Sequence, residues 1–157
     1  NNSHVLEVIK SLGQLIKRTP QKISLTVVMG RHEKRLKKTI QATCPKETTL
    51  IGWTENMPEL LCSHHLLIGK AGGASVQESL ASACPMIIDS MIPGQEEGNA
   101  EMMTTINSGI IAFTAGEINS AILSLLQNDG KKWLEMRHNC FHKGNPRAAL
   151  NLANLVA

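Results

Sequence analysis

The chain has 157 residues, of which 42% are hydrophobic and 18% charged, and its formal net charge is +3. These values predict one globular domain with a substantial core and exclude a disordered or fibrous class. Aromatic residues make up only 3% and tyrosine is absent, so the chain lacks the stacking side chains of a nucleic-acid surface and no nucleic-acid partner is expected.

Helical and extended patterns alternate along the chain. Apolar spacing predicts a first helix between a Ser3 cap and Thr19-Pro20, and further helices over 33–42, 57–62, 75–83, 98–106, 117–126, 131–142 and 146–156. Strands are predicted over 23–29, 48–52, 66–69, 86–89 and 110–113. This alternation predicts an α/β fold with a doubly wound, Rossmann-like parallel sheet. Such a domain normally opens with a strand, so we expect the first strand to be missing.

A glycine turn separates the third predicted strand from the helix that follows it. Glycine allows a tight turn and a close approach of a ligand to the backbone. We predict that Ser75 caps the helix, with Glu78 at the capping-box spacing. At the positive end of the helix dipole, a diphosphate is predicted to contact Lys70 and the N–H groups of Gly72, Gly73, Ala74 and Ser75. A plain glycine turn is the alternative.

A second polar segment, Pro93–Asn99, follows the next predicted strand. The carboxyl ends of parallel strands share one edge of a sheet, so this segment and the glycine turn are predicted to form two walls of one cleft. Its donors and acceptors suit a polyhydroxylated sugar, and the candidates are Gln95, Glu96, Glu97 and Asn99. The alternative is a solvated helix start. Glu78 is predicted to accept hydrogen bonds from a ribose diol, or else only to close its own helix.

The loop after the second predicted strand offers a site for a nucleotide base. An apolar slot lined with backbone groups is predicted from Trp53, Thr54 and Met57. A tryptophan buried in the core is the alternative.

Motifs for covalent or metal chemistry are absent from the sequence. Neither G-x-G-x-x-G, G-x-x-x-x-G-K-[ST] nor G-x-S-x-G occurs, and no nucleophile–base pair is evident. His138, Cys140 and His142 lack nearby carboxylates, so we interpret them as part of a surface helix and predict no metal. The chemistry that remains is binding.

The cysteines and the apolar runs indicate the cellular compartment of the protein. The four cysteines form no C-x-x-C pair, which predicts reduced thiols in a cytoplasmic protein, and no apolar run reaches the ~18 residues of a transmembrane helix.

The charge is unevenly distributed along the chain. Residues 1–50 carry a net charge of +7 and the remainder −4. We interpret the basic excess as a solvated helix face, with contact to an anionic membrane or a phosphate as the alternative. Because the chain begins with Asn1, we expect it to be part of a longer protein.

Three segments resemble the C-terminal domain of the monogalactosyldiacylglycerol synthase and processive diacylglycerol glucosyltransferase group, which is related to the peptidoglycan N-acetylglucosaminyltransferase. They are Gly52–Pro58, Lys70–Glu78 and Pro93–Ala100, and the similarity covers roughly residues 5–127. The resemblance implies that residues 1–157 are the nucleotide-sugar-binding half of a two-domain GT-B glycosyltransferase. It also implies a UDP-sugar substrate and neither a metal nor another cofactor.

The same resemblance implies individual roles. Glu78 would contact the ribose hydroxyls, and the backbone of Thr54 would contact uracil beside Trp53 and Met57. Glu97 and Asn99 would face the sugar, with Gln95 and Glu96 close by. The glycine turn would face the diphosphate, although Lys70-Ala71-Gly72 stands where the family has Lys-Pro-Gly.

The resemblance also implies partners outside this sequence. The catalytic base and the site for a diacylglycerol-like lipid are expected in a missing N-terminal domain, at the cytoplasmic face of a membrane. We therefore expect this domain alone to bind its donor weakly and to be inactive. Two alternatives remain: half of a nucleotide-sugar epimerase, or a single-domain, non-catalytic partner subunit of a split glycosyltransferase.

Overall fold

A computed structural model describes residues 2–156 of the chain. They divide into two compact units: the first contains the residues up to Met57 together with Thr114–Ser120, and the second contains Pro58–Phe113 and the residues from Ala121 onward. All described strand pairs are parallel and alternate with helices. The predicted parallel α/β class is therefore confirmed.

The first unit contains two helices and a pair of strands. In chain order these are α1 (Asn2–Arg18), β1 (Thr26–Val28), α2 (Glu33–Thr43) and β2 (Thr49–Ile51). The two strands pair in parallel with Val27 opposite Leu50. Apolar residues from both helices meet the end of β1 in a small core of Ile9, Met29 and Ile40.

The strand predicted over 23–29 is shorter than expected. Only three of those residues join the ladder, and Val28 is 40% exposed. Within the described residues, β1 pairs with β2 alone, so one of its edges has no neighbouring strand. The continuous apolar run over 23–29 predicts a strand covered on both faces, and the exposure of Val28 shows that this prediction is wrong.

The second unit carries a three-stranded sheet. Its elements begin with α3 (Met57–Ser63), β3 (Leu67–Lys70), α4 (Gly73–Ala81), β4 (Met86–Ser90), α5 (Glu97–Thr105) and β5 (Gly109–Ile111). Helix α6 (Ala115–Leu126) follows; its residues up to Ser120 belong to the first unit and the rest to the second. Helices α7 (Lys131–Lys143) and α8 (Ala148–Val156) complete the second unit. Within residues 2–156, no helix has the length and apolar character needed to cross a bilayer.

Strand β4 is the centre of this unit. The strand order is β3-β4-β5, and Met86, Ile87 and Ile88 are each 0% exposed. Such continuous burial is typical of a parallel strand covered on both faces. Residues from α4, α5 and α7 complete one core with it, including Val76, Leu80, Ala100, Met103 and Cys140.

The pairing of β3 with β4 is irregular at its carboxyl end. Gly69 lies opposite Ile88, but Lys70 lies opposite Ser90, so Asp89 is an extra residue on β4. This is a β-bulge, a device that bends a strand and redirects a side chain. Directly afterwards, the N–H of Ala71 donates to the carbonyl of Ser90 at 3.0 Å. The bulge thus lies where β3 passes into the glycine turn.

Candidate functional site

Helix α4 begins earlier than the sequence predicted. Its N-cap is Gly72, in an extended conformation (φ −66°, ψ 143°) and with no side-chain cap. The Gly72 carbonyl accepts the N–H of Val76 at 3.0 Å. Ser75 therefore lies inside the first turn, and the predicted Ser75 cap with its Glu78 capping box is wrong. Without a capping side chain, the first-turn N–H groups stay open to a ligand.

The first turn of α4 has the properties of an anion site. Gly73 and Ala74 are exposed and Ser75 is half-buried. The leading N–H groups of a helix have no partner within it, and they carry the positive end of the dipole. A phosphate placed there would accept hydrogen bonds from the backbone itself.

An ion pair lies against this turn. The Nζ atom of Lys70 is 2.6 Å from Oε1 of Glu96, and Oε2 of Glu96 accepts the N–H of Ile92 at 2.8 Å. A Cβ atom added to Gly72 would lie 3.5 Å from Cε of Lys70 and 3.7 Å from Oε1 of Glu96. Both are ordinary van der Waals distances, so the ion pair lies directly beside the helix start.

A second contact joins the glycine turn to the polar segment Pro93–Asn99. The Nδ2 atom of Asn99 donates to the carbonyl of Ala71 at 2.9 Å. Gly94, with φ +73°, supplies the left-handed residue that the segment needs to turn. The structure thus brings together the two segments that the sequence placed on the walls of one cleft.

The remaining polar residues of these segments are open to solvent. Gln95, Glu97 and Glu78 are all exposed, and their side chains have no partner among residues 2–156. Glu78 is neither part of the core nor committed to its own helix. Its ribose role and the sugar roles of Gln95, Glu96, Glu97 and Asn99 stay predictions.

The pKa of Glu96 is lowered from its usual value of 4.5. The hydrogen bond from Lys70 is the largest cause, and the Ile92 N–H adds to it, while burial opposes both. The carboxylate is therefore ionised at neutral pH although the residue is only 5% exposed.

This shift predicts an acid dependence of stability. A lowered folded-state pKa makes a contribution that is complete above 4.5 and is lost as the pH falls through the folded value. We expect the free energy of unfolding to fall with acidification less steeply in Glu96→Gln than in the wild-type chain. Urea unfolding at a series of pH values between about pH 7 and pH 3 measures the free energy of unfolding of both chains. The control Glu101→Gln removes an exposed carboxylate from α5, the helix that Glu96 precedes, and should keep the wild-type slope. An unchanged slope in Glu96→Gln would contradict the assignment.

The predicted base-binding residues lie in the first unit. Trp53 is 61% exposed, so the alternative of a core tryptophan is wrong. The guanidinium carbon of Arg31 lies 4.7 Å from the centroid of its ring. Thr54 Oγ1 accepts the N–H of Asn56 at 3.0 Å, and Met57 begins α3, half-buried. The base-binding role of Trp53, Thr54 and Met57 stays a prediction.

From the sequence, Arg31 is predicted only as part of the basic excess of residues 1–50. In the structure its cation stacks on the exposed Trp53 indole, an attraction between a charge and an aromatic face. Its position near the carboxyl end of β1, three residues beyond Val28, was the signal in the sequence.

The His138, Cys140 and His142 group divides between core and surface. Cys140 is 0% exposed, whereas the two histidines are exposed and their ring centroids are 4.1 Å apart. Within residues 2–156, no group of three or more histidine, cysteine, aspartate or glutamate side chains is arranged to hold a metal ion.

Comparison with known proteins finds relatives of the chain. No protein-family model matches the chain. The chain is 31% identical over 120 residues to the processive diacylglycerol beta-glucosyltransferase of Staphylococcus carnosus, and 31% identical over 137 residues to that of Bacillus licheniformis. The chain is a homologue of the processive diacylglycerol glucosyltransferases. The matches cover 75% and 86% of this chain, but only 30% and 35% of the two relatives. The chain thus spans about a third of the length of these relatives.

Solved structures agree on the fold of the glucosyltransferase homologue. MurG of Acinetobacter baumannii superposes with a TM-score of 0.71 at 17% identity, covering 95% of this chain and 45% of that one. The UDP-GlcNAc 2-epimerase of Neisseria meningitidis, bound to UDP-GlcNAc, gives 0.69 at 15% identity, with 96% and 40% covered. The spinosyn rhamnosyltransferase SpnG, complexed with thymidine diphosphate, gives 0.66 at 10%, with 98% and 42% covered. The GT-B type of Rossmann-like fold is confirmed.

Proposed function

We propose that this chain is the donor-binding half of a glycosyltransferase that moves a hexose from a UDP-sugar to a diacylglycerol-like lipid. One observation carries the proposal: the open first turn of α4, with the Lys70 ammonium at Gly72, is tied to the polar segment by the Lys70–Glu96 ion pair. Supporting it, the relatives are named diacylglycerol glucosyltransferases.

Within the second unit, each part of the donor is assigned to groups that suit it. Its diphosphate occupies the first turn of α4, its ribose contacts the exposed Glu78, and its sugar faces Gln95, Glu97 and Asn99. The resemblance assigns the uracil to Trp53, Thr54 and Met57. These assignments match the chemistry of each group: backbone N–H groups for phosphate, a carboxylate for a diol and mixed amide and acid groups for hydroxyls.

Transfer breaks the bond between the anomeric carbon and the β-phosphate oxygen. The acceptor hydroxyl loses a proton to a base in the N-terminal domain, and its oxygen forms the new bond with inversion at the anomeric carbon. Negative charge then builds on the departing UDP, where the dipole of α4 and Lys70 stabilise it. The reaction needs neither a metal nor another cofactor on this proposal.

The partners follow from the same proposal. They are the nucleotide sugar, the N-terminal domain and a lipid acceptor presented at the cytoplasmic face of a membrane. Nucleic acid is not among them. This half by itself binds the donor weakly and transfers nothing, because the acceptor site and the base lie in the other half.

Titration of the 15N-labelled chain tests the donor site. UDP, UDP-glucose, UDP-galactose and UDP-N-acetylglucosamine are added separately, with ADP and inorganic pyrophosphate as controls. We expect amide shifts at Gly72–Ser75 for every UDP ligand, and further shifts at 95–99 when a sugar is attached. A chain that responds to none of the UDP ligands, or equally to pyrophosphate, would overturn the proposal.

A nucleotide-sugar epimerase is the second candidate, because an epimerase bound to UDP-GlcNAc is among the structural neighbours. A product assay on the complete protein separates the two functions. An epimerase alters the sugar of its nucleotide without an acceptor, whereas a transferase needs the lipid. A complete protein that does neither, yet binds UDP-sugar, would indicate a non-catalytic partner subunit.

A further inference from the structure

Glu96 differs from its neighbours in the polar segment. Gln95 and Glu97 are exposed, but Glu96 is 5% exposed and both its carboxylate oxygens have partners. One faces Lys70 and the other accepts the Ile92 N–H. A carboxylate held in this way is poorly placed to reach out to a sugar.

The segment itself holds the Glu96 carboxylate in place. The N–H of Glu96 donates to the carbonyl of Ile92 at 2.9 Å, while the N–H of Ile92 returns a bond to the side chain. These two hydrogen bonds close the turn between Ile92 and Glu96. The carboxylate is therefore anchored to the backbone independently of Lys70.

The contact with Glu96 restricts the Lys70 side chain. Its side chain is 51% exposed, and a free lysine has a long, flexible stem that loses entropy when it binds a ligand. Bound to Glu96, its ammonium lies 3.9 Å from the position of a Cβ at Gly72. An ammonium has three N–H donors, so two remain after Glu96 takes one.

We propose that Glu96 is a positioning residue for the diphosphate and not a sugar ligand: it holds the Lys70 ammonium at the start of α4 before the donor arrives. This inference rests on the proposed function. It assigns the direct sugar contacts to the exposed neighbours of Glu96, and it makes the polar segment part of the phosphate site.

The test is a calorimetric comparison of uridine, UDP and UDP-glucose in wild type, Glu96→Gln, Lys70→Gln and the double variant. A carboxamide has a single acceptor oxygen and cannot serve both Lys70 and Ile92. We expect Glu96→Gln to weaken UDP and UDP-glucose equally, by about three- to tenfold, the cost of ordering one flexible side chain on binding. Uridine should bind as in wild type. In the Lys70→Gln background, the further change Glu96→Gln should have no effect on UDP.

Each other result overturns the inference. Loss confined to UDP-glucose would make Glu96 a sugar ligand, and loss for uridine as well would make its role purely structural. Equal UDP affinity in wild type and Glu96→Gln would remove the inference while leaving the proposed function intact. A wild-type chain that binds none of the three ligands would remove both.

A ligand-free measurement covers the case in which Glu96→Gln does not fold. The carboxyl 13C shift of Glu96 is followed against pH in wild type and in Lys70→Gln. We expect its midpoint to rise toward the usual glutamate value when Lys70 is replaced. An unchanged midpoint would show that the two side chains are not paired, and the inference would fall.

Discussion

Replacing Glu78 with alanine is expected to weaken UDP-sugar binding by the full-length enzyme by about 1–3 kcal/mol, the usual cost of losing a hydrogen bond to a charged group. Glu78 is exposed and has no side-chain partner among residues 2–156. Its removal should therefore leave the fold intact. Isothermal calorimetry measures the affinity, and thermal unfolding checks the stability.

A donor analogue makes the Glu78 test specific. A 2′-deoxyribose UDP-sugar lacks one of the two hydroxyls that Glu78 would bind, so it should bind the wild type more weakly than the ribose form. Glu78→Ala should bind the two forms almost equally. The neighbouring exposed residue supplies a control, Gln77→Ala, which should keep the discrimination. Unchanged affinity in Glu78→Ala would show that the ribose assignment is wrong.

Replacing Ile88 with alanine should lower the free energy of unfolding by about 2–5 kcal/mol. Ile88 is 0% exposed on the central strand β4 and belongs to the core of the second unit. The loss combines the transfer energy of the deleted methyl groups with the cavity left in a packed interior. Urea denaturation measures the change, and Ile88→Val should cost about 0.5–1.5 kcal/mol.

Ile111, the residue paired with Ile88 on the neighbouring strand, provides the control. Ile111 lies opposite it on β5 but is 39% exposed, so Ile111→Ala should cost only about 1 kcal/mol. Equal losses at the two positions would show that β4 is not the buried centre of its sheet.

Several elements were predicted from sequence to within one or two residues. The strand predicted over 86–89 occurs as Met86–Ser90, and the helix predicted over 117–126 occurs as Ala115–Leu126. The start of α4 was missed because Ser75 carries a local capping signal. A non-local contact, the bond from Ala71 to Ser90, fixes the chain earlier and lets the helix begin at Gly73. Tertiary structure thus overrode a local preference.

The polar segment Pro93–Asn99 shows a second limit of prediction from sequence. Gln95, Glu96 and Glu97 are adjacent and chemically similar, so composition alone assigns them one role. What distinguishes Glu96 is Lys70, which lies far from it along the chain and next to it in the fold. Because successive residues of a turn face different directions, only the folded chain shows which one points inward.

The extra residue in β4 has a consequence for comparing related sequences. Ser90 already lies opposite Lys70, so removing Asp89 would regularise the ladder and leave Ser90 on the same side of the sheet. The strand would lose the bend that a bulge produces, at the point where it leads toward Pro93–Asn99. A relative that lacks the bulge should therefore be aligned with a one-residue gap at Asp89, so that the residues beyond the gap stay paired with their structural equivalents.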